Sequence, residues 1–387
     1  MNFQLVRDEF SYLDDVIYLN VASLGMPPMR SRQVYSNFVN DYCERYGVHQ
    51  VGKAYAEVDQ ARGLIAQLIH CLPQEIFWVP NTCQGITALT EGYPWSPGDN
   101  IITGDLEHAS GGYPCKYLTR KGVEVRSIKS EHGAYTLEAI DRLIDRNTKI
   151  LCISASPWET GYYADLKAIG HLCHAKGVLF AVDAMQVMGR MSINVADMEI
   201  DYLTSGSHKG MLGTFGSGFA YCASSLIPML APIAVSKQGL KEQYPVDLLD
   251  CPDGSFSFFP DARKFEAGNL NYSGILMMAE SVKLFLQLGP ENIQRHILGL
   301  ETELRNKVLS VKNLQIGCTD EPARFGGNIY VFPHKPFDQE KISALLKCHH
   351  VIATEKQNYL RFSIGIHNTS AQMDTLSHII QEIDTMI

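Results

Sequence analysis

The strongest constraint on the fold is an alternation of short apolar runs and helix-like patterns between about residues 75 and 225. Most of the apolar runs are nearly continuous and short, as in strands buried on both faces of a sheet. The predicted strands are IFWVP (76–80), NIITGDLEH (100–108), VEVRSI (123–128), KILCISAS (149–156), VLFAVDA (178–184) and DYLTSGS (201–207). This alternation predicts an α/β fold, with a mostly parallel sheet flanked by helices.

Helical patterns lie between these runs. TLEAIDRLIDR and ADLKAIGHLCHAKG repeat apolar residues at helical spacing, and Gly177 is placed to end the second helix. After about residue 275, two longer helical patterns, the strands GGNIYVFP and NYLRFSIG, and a final helix follow. Thr369 and Gln372 are placed to begin that last helix as a capping box.

The change of pattern near residue 275 suggests two domains. We expect residues 19–274 to form a large α/β domain, and residues 1–18 plus 275–387 to form a smaller α+β domain. The stretch 240–268 is predicted to be loop and connector.

Composition excludes several classes of function. The 387 residues carry a net charge of −9 and no basic run, so nucleic-acid binding is not expected. We expect neither a signal peptide nor a membrane span. The ten cysteines form no CxxC motif and no metal-ligand spacing. They are expected to be reduced thiols of a cytoplasmic protein without a bound metal.

Chemically active residues follow the predicted strands at their carboxyl ends. In parallel sheets these ends share one edge, where ligands collect. The residues are Asn81, Thr82 and Cys83 after the first strand, Glu107 and His108 after the second, Asp183 and Gln186 after the fifth, and Ser207, His208 and Lys209 after the sixth. The first group opens a helix pattern, which suits a phosphate, although Thr82 is equally explained as a simple cap.

One amine, one acid, one imidazole and a phosphate cradle have a specific joint use. A lysine amine forms a Schiff base with the aldehyde of pyridoxal 5′-phosphate. Asp183 follows the apolar run VLFAV, where an unpaired acid would be costly, and it fits the carboxylate that such a ring nitrogen needs. His108 fits an aromatic plate over the ring.

The run AVDAMQVMGRMSINVADMEIDYLTSGSHKGMLGTFGSGFAY resembles the class V aminotransferases of fold-type I. That family includes cysteine desulfurases, selenocysteine lyases, kynureninases and isopenicillin-N-epimerase-like proteins. The pattern VDxxQ, a spacer, then HK and a glycine-rich loop carries the likeness. It extends over nearly the whole chain through YLNVASLGMPP (18–28), GDLEHAS (104–110), FEAGNLN (265–271) and LRFSIGIHNTSAQMD (360–374). It implies a sheet of the seven-stranded type and a homodimer.

The resemblance also implies roles around the cofactor. Lys209 would be the Schiff-base lysine and proton shuttle, and Asp183 would pair with the pyridinium nitrogen. Gln186 would bond the phenolic oxygen, and His108 would stack on the ring. The phosphate would be held by Thr82, Cys83, Ser207 and His208, and by Asn269 from the other subunit of the dimer.

On the substrate side, the resemblance implies that Arg361 clamps the α-carboxylate. Asn20 and Ala22 belong to the segment that matches the family's N-terminal substrate loop. Trp158 stands near a position where many members carry Asn, so an indole would reshape the pocket. Many members carry Ser at the position of Gly206, and Ser207 is the expected substitute.

The largest departure concerns sulfur. Cysteine desulfurases place a nucleophilic cysteine on a mobile segment shortly before the carboxylate-binding arginine. Here the segment is KCHHVIATEKQNYLRFS, and its one thiol, Cys348, lies thirteen residues before Arg361. We interpret Cys348 as a buried small apolar residue, which disfavours a desulfurase.

The sequence therefore predicts a PLP-dependent enzyme acting on a small α-amino acid. An aminotransferase is the first expectation. A β-eliminating C–S lyase, a desulfurase-like enzyme and an amino-acid epimerase remain alternatives, because they differ only in where one proton or leaving group goes. A cofactor-binding regulator would be expected to have lost some of these residues. An NAD-linked oxidoreductase is disfavoured, because GTFGSG (213–218) does not lie between a strand and a helix.

Overall fold

The computed structural model describes residues 1–44, 47–241, 256–317 and 321–387. The helices are α1 (Phe3–Phe10), α2 (Met29–Cys43), α3 (Gly47–Ile69), α4 (Thr82–Gly92), α5 (Ala109–Tyr117), α6 (Leu137–Asp141), α7 (Leu166–Ala175), α8 (Tyr272–Leu288), α9 (Pro290–Leu309), α10 (Gln339–Cys348) and α11 (Ser370–Thr385). The strands are β1 (Ile17–Tyr18), β2 (Ile76–Trp78), β3 (Asn100–Gly104), β4 (Glu124–Ile128), β5 (Thr148–Ser154), β6 (Leu179–Asp183), β7 (Tyr202–Gly206), β8 (Gly218–Cys222), β9 (Leu314–Ile316), β10 (Asn328–Pro333), β11 (Val351–Ile352), β12 (Thr354–Lys356) and β13 (Tyr359–Ser363).

The main sheet has seven strands in the order β2-β8-β7-β6-β5-β3-β4. The pairs from β7 through β6, β5 and β3 to β4 are parallel, whereas β8 runs antiparallel to both β2 and β7. The six predicted strands correspond to β2 through β7, so the prediction of a mostly parallel α/β sheet is confirmed. Strand β8 was not predicted.

Both faces of this sheet are covered by apolar side chains. Along β5, Leu151 and Ile153 belong to one buried cluster, whereas Ile150 and Cys152 belong to the other. Because successive side chains of a strand point to opposite faces, this division places one cluster on each side of the sheet. Helix α7 ends as predicted, with Gly177 at a φ of 69° just beyond it.

The carboxyl-terminal part forms a smaller antiparallel sheet in the order β12-β13-β10-β9, and α9 packs against α11. Thr369 and Gln372 form the predicted capping box at the start of α11. Strands β12 and β13 are joined by a tight hairpin in which Lys356 pairs with Tyr359. The division into domains at residues 19 and 275 stays a prediction.

The structure describes only part of the segment 240–268, which was predicted to be loop and connector. Residues 242–255 lie outside the described residues, and the segment from 256 onward contains only one short 3₁₀ turn, Ala262–Phe265. Across the four described ranges, no helix combines the length and apolarity that a membrane span needs.

Candidate active site

A cavity of about 350 Å³ lies where β5, β6 and β7 end and α4 begins. This is the sheet edge at which ligands of parallel α/β proteins collect. Eight of the predicted site residues line it: Thr82, Cys83, His108, Trp158, Asp183, Gln186, His208 and Lys209. The structure thus brings together side chains from segments far apart in the chain.

Lys209 lies just beyond the end of β7. Its surroundings make its amine a weaker base than that of an ordinary lysine. Burial lowers its pKa to about 8, and Arg361 and Arg190 act in the same direction while Asp183 opposes them. Gly25 packs directly against its backbone, since a Cβ at that glycine would lie 1.9 Å from the Lys209 carbonyl oxygen. An amine with this pKa is partly unprotonated near neutral pH, as a nucleophile or base requires.

Asp183 and Gln186 present polar atoms to the same cavity. Asp183 is 6% exposed, and its Oδ1 accepts a hydrogen bond of 2.9 Å from the backbone N–H of Met185. Burial raises the pKa of Asp183 to about 6, against the effect of the Lys209 cation. Gln186 Nε2 donates to the carbonyl oxygen of Ala22 at 3.4 Å, while its buried Oε1 has no hydrogen-bond partner among the described residues. A cationic ring nitrogen and a hydrogen-bond donor from a ligand would satisfy these two groups.

The amino-terminal end of α4 supplies the anion cradle. Asn81, not Thr82, is the N-cap: its Oδ1 accepts from Gln84 N–H at 3.0 Å. The Thr82 hydroxyl accepts from Gly206 N–H at 3.1 Å, so its own proton remains available to a ligand. The free N–H groups and the dipole of this eleven-residue helix suit a phosphate.

Two histidines border this cavity. His108 is the N-cap of α5, and its ring lies 5.6 Å from the Trp158 ring in an edge-to-face arrangement of 88°. Burial and the Lys209 charge lower the pKa of His108. His208 stacks on Phe215 at 4.4 Å, and burial lowers its pKa to about 4. Both rings are therefore neutral at physiological pH and can pack against a flat ligand.

Arg361 lies on β13 next to the loop predicted to bind substrate. Its Nη2 donates to Thr354 Oγ1 at 2.9 Å, to the hydroxyl of Ser23, and to Asn20 Oδ1 at 3.4 Å. The residue is 6% exposed, and within the described part of the chain its Nε has no hydrogen-bond partner. Ala22 N–H donates to Ser363 Oγ at 2.7 Å, which ties the loop to β13. A substrate carboxylate would satisfy the unpaired Nε and replace the weaker contacts.

Two of the predicted cofactor-binding residues, Ser207 and Asn269, do not line this cavity, and one prediction about a cysteine outside the site also differs from the structure. The Ser207 side chain does not line the cavity: its hydroxyl lies 2.6 Å from both Thr214 O and Ser217 Oγ, because it faces the glycine-rich loop. Asn269 is exposed and lines a different cavity of about 450 Å³, beside Gly216. The expectation that Cys348 is buried was wrong. It is exposed, because α10 buries its opposite face.

Sequence reasoning left some of the lining without a role. Asn81, Ser110, Ser154, Ser156 and Met185 also line the cavity. Ser154 and Ser156 stand at the carboxyl end of β5, so the edge rule applied to that strand would have found them. Thr354 and Ser23, which hold Arg361, carried no comparable signal, since their contact depends on a hairpin and a loop that meet only in the fold.

Comparisons with known proteins show which family this chain belongs to. The sequence profile described as Aminotransferase class-V matches residues 17–376. The chain belongs to the class V aminotransferase family. A relative named probable cysteine desulfurase, from Methanothermobacter thermautotrophicus, is 27% identical over 100% of this chain and 99% of its own length.

Solved structures of this family share the fold. The apo cysteine desulfurase from Thermococcus onnurineus superposes with a TM-score of 0.88 at 19% identity, covering 99% of this chain and 98% of its own. The cystine C–S lyase C-DES, in complex with its product cysteine persulfide, gives a TM-score of 0.86 at 17% identity, covering 97% and 99%. The fold is that of the PLP enzymes of fold-type I.

The enzyme depends on pyridoxal 5′-phosphate, and its cavity fits that group. The lowered pKa of Lys209 suits attachment of an aldehyde, Asp183 is buried in the cavity wall, and Gln186 Oε1 lacks a partner among the residues that the structure describes. The start of α4 offers the phosphate cradle. Each polar part of the cofactor therefore has a matching group in the cavity wall.

Proposed function

We propose that this class V enzyme is a β-eliminating C–S lyase for a cysteine-type α-amino acid. The observation that carries the proposal is the hairpin between β12 and β13. Only Gln357 and Asn358 separate these strands, and the side chain that reaches Arg361 from the hairpin is the hydroxyl of Thr354. A thiol that attacked substrate sulfur from this side would need a longer segment carrying a cysteine.

The comparisons support chemistry on sulfur, whereas the case against a protein persulfide at this position rests on the hairpin. One full-length relative is named as a probable cysteine desulfurase, and one structural neighbour as a cystine C–S lyase. Among the described residues, Cys83 is the cysteine that lines the cavity, and it lies in the first turn of α4, at the phosphate cradle. A lyase releases its sulfur product directly, so it needs no cysteine near Arg361.

The residues supply the remaining steps. Bound pyridoxal phosphate supplies an electron-accepting ring that stores the electron pair of the broken Cα–H bond. Lys209 removes the Cα proton, and Asp183 holds a proton on the ring nitrogen. Arg361 binds the substrate α-carboxylate and fixes the orientation of Cα. The Cβ–S bond then breaks with its electron pair leaving on sulfur, and water releases the remaining fragment as pyruvate and ammonia.

A single assay tests this proposal. Holoenzyme is mixed with L-cysteine, L-cystine and a panel of other L-amino acids, and pyruvate, ammonia and sulfide or persulfide are measured together with the cofactor spectrum. The lyase gives pyruvate and ammonia in equal amounts with sulfur release, while the spectrum of the lysine-bound cofactor persists. Lys209→Ala is the inactive control.

The same assay separates the alternatives. An aminotransferase would convert the cofactor to its amine form, which an added keto acid restores, and would release no ammonia. A desulfurase would give alanine in place of pyruvate and would be blocked by alkylation. Substituting Cys83→Ser and Cys348→Ser separately would then show which thiol carries sulfur. The aminotransferase result and the desulfurase result would each overturn the lyase proposal.

We also propose that the enzyme works as a homodimer that shares its phosphate site. Asn269 is exposed and lines a cavity separate from that of Lys209, and the wall of this second cavity includes Gln84 of α4. A second copy could therefore place its Asn269 near the phosphate cradle. Sedimentation velocity should show a dimer, and Asn269→Asp should weaken cofactor binding. A monomeric, fully active holoenzyme would contradict this.

A further inference from the structure

A partly buried carboxylate with no role in the proposed reaction lies beside the cofactor site. Glu107 follows β3, and its carboxylate accepts four contacts from two residues. Ser154 N–H lies 3.0 and 2.9 Å from its two oxygens, Ser154 Oγ lies 2.5 Å from Oε2, and Tyr135 Oη lies 3.2 Å from Oε1. Tyr135 is held in turn by the Leu106 N–H at 2.8 Å.

This network is joined to Asp183 through the sheet. Ser154 is the register partner of Asp183 between β5 and β6, and Ala155 N–H donates to the Asp183 carbonyl oxygen at 2.9 Å. Gly111, in the first turn of α5, faces both carboxylates. A Cβ there would lie 3.5 Å from Asp183 Oδ2 and 3.7 Å from Glu107 Oε2. Two acids therefore stand close together, Asp183 in the cavity wall and Glu107 beside it.

The hydrogen bonds alone do not require a charge at this position. A glutamine could accept from the Ser154 N–H and hydroxyl through its Oε1 and donate to Tyr135 through its Nε2, with the loss of one of the two Ser154 N–H contacts. Within the described ranges, Glu107 forms no salt bridge, and the charged group that acts on it is another acid, Asp183. A second acid without a cation is costly in a buried position unless a positive charge arrives.

The cofactor brings such a charge to Asp183 in its protonated ring nitrogen. We propose that Glu107 is a positioning residue for the cofactor: it fixes Asp183 through Ser154, and its own negative charge helps to keep the ring nitrogen protonated. Its action passes through Asp183 and does not require contact with substrate. The proposal depends on cofactor binding and not on which reaction follows.

The groups around Glu107 set the pKa of its carboxyl. Burial raises its pKa to about 7, the Ser154 and Tyr135 hydrogen bonds lower it, and Asp183 raises it. Two further acidic groups lie near this network. Asp105 raises the pKa of Tyr135, and Glu107 raises the pKa of Cys152. Lys209 is a cation that acts on the pair, because its charge lowers the pKa of Asp183. A bound cation would lower the pKa values of both acids.

The test is a pH titration of the absorbance band of the bound cofactor, together with its dissociation constant. Glu107→Gln keeps a hydrogen bond to Ser154 and one to Tyr135 and removes the charge, so cations on the cofactor lose support. The spectral pKa should fall by about 0.5 to 1 unit, and cofactor affinity should fall several-fold. Glu131→Gln, at an exposed acid paired only with Arg142 at 3.8 Å, is the control and should titrate like the wild type.

A second variant guards against misfolding of the first. Ser154→Ala retains the Glu107 charge and the backbone contacts but removes the 2.5 Å hydroxyl bond, which raises the pKa of Glu107. It should shift the spectral pKa in the same direction by a smaller amount. If either folded variant titrates and binds cofactor like the wild type, Glu107 has only a structural role and the proposal is overturned. The reaction catalysed by the wild type does not enter this test.

Discussion

Thr354 and Arg361 are held together across the hairpin of β12 and β13, with 2.9 Å between Thr354 Oγ1 and Arg361 Nη2. Thr354 also donates to Asn20 Oδ1 at 2.8 Å, so one hydroxyl connects the hairpin, the arginine and the substrate loop. The guanidinium is thereby oriented before substrate arrives. Pre-organisation of this kind reduces the ordering that binding would otherwise require.

Arg361→Lys should therefore weaken substrate binding more than catalysis. Lysine keeps the charge but loses the planar fork that matches a carboxylate. We expect KM to rise about 10- to 100-fold, the equivalent of losing one charged hydrogen bond, with a smaller fall in kcat. Thr354→Val, which removes only the supporting hydroxyl, should raise KM less. Equal KM values for wild type and Arg361→Lys in steady-state kinetics would contradict the assigned role.

Lys209→Ala should remove the base while leaving the cavity intact. Loss of a positioned general base typically costs about 10²- to 10⁴-fold in rate, and loss of the covalent attachment adds to this. The variant should still bind cofactor, because α4 and Asp183 are unchanged, but its spectrum should be that of unattached aldehyde. Rapid-mixing absorbance with amino acid measures the proton-transfer step. Full turnover by this variant would refute the mechanism.

Most strands of the main sheet could be predicted from the sequence because buried parallel strands appear in it as short apolar runs. Strands β2 to β7 each overlap a predicted run. Strand β8 escaped because it pairs between β2 and β7, out of chain order and antiparallel to both. Such a pairing depends on distant partners, and the local pattern of GFAYC does not specify it.

The site shows the same limit. The carboxyl-end rule placed Thr82, Asp183 and Lys209 on one cavity, because strand ends share an edge. Ser207 stands beyond the end of β7, where the alternation of side chains stops and direction can no longer be counted. Cys348 was misjudged because a lone thiol does not show which face of a helix it occupies. α10 buries Ile342, Leu345 and Leu346 instead.

Trp158 should control which side chains fit the cavity. Its indole lies edge-to-face with His108 and takes part of the cavity wall, while its carbonyl oxygen is fixed by the Tyr330 hydroxyl. Trp158→Ala should enlarge the cavity and lower KM for bulky disulfide substrates relative to L-cysteine. It should also remove a ring pair worth about 0.5–1.5 kcal/mol. The ratio of kcat/KM for L-cystine and L-cysteine measures this, and an unchanged ratio would exclude Trp158 as a selector.

Asp183 and Glu107 should make the cofactor-free protein less stable as pH rises. Burial raises the pKa of Asp183 to about 6 and that of Glu107 to about 7, above ordinary values of about 4. An acid whose pKa is raised by folding stabilises the folded state while protonated. That contribution is complete below the unfolded pKa and is lost as pH rises through the folded pKa.

Glu107→Gln cannot titrate, so the comparison with wild type isolates this one acid. The free energy of unfolding of the variant minus that of the wild type should increase between about pH 4.5 and pH 7 and then level off. Urea unfolding of the cofactor-free proteins at several pH values measures it, with Glu131→Gln as the surface control. Bound cofactor should flatten the wild-type dependence, since a cation lowers the pKa of both acids. A difference independent of pH would mean that Glu107 is already ionised at the acidic end of this range.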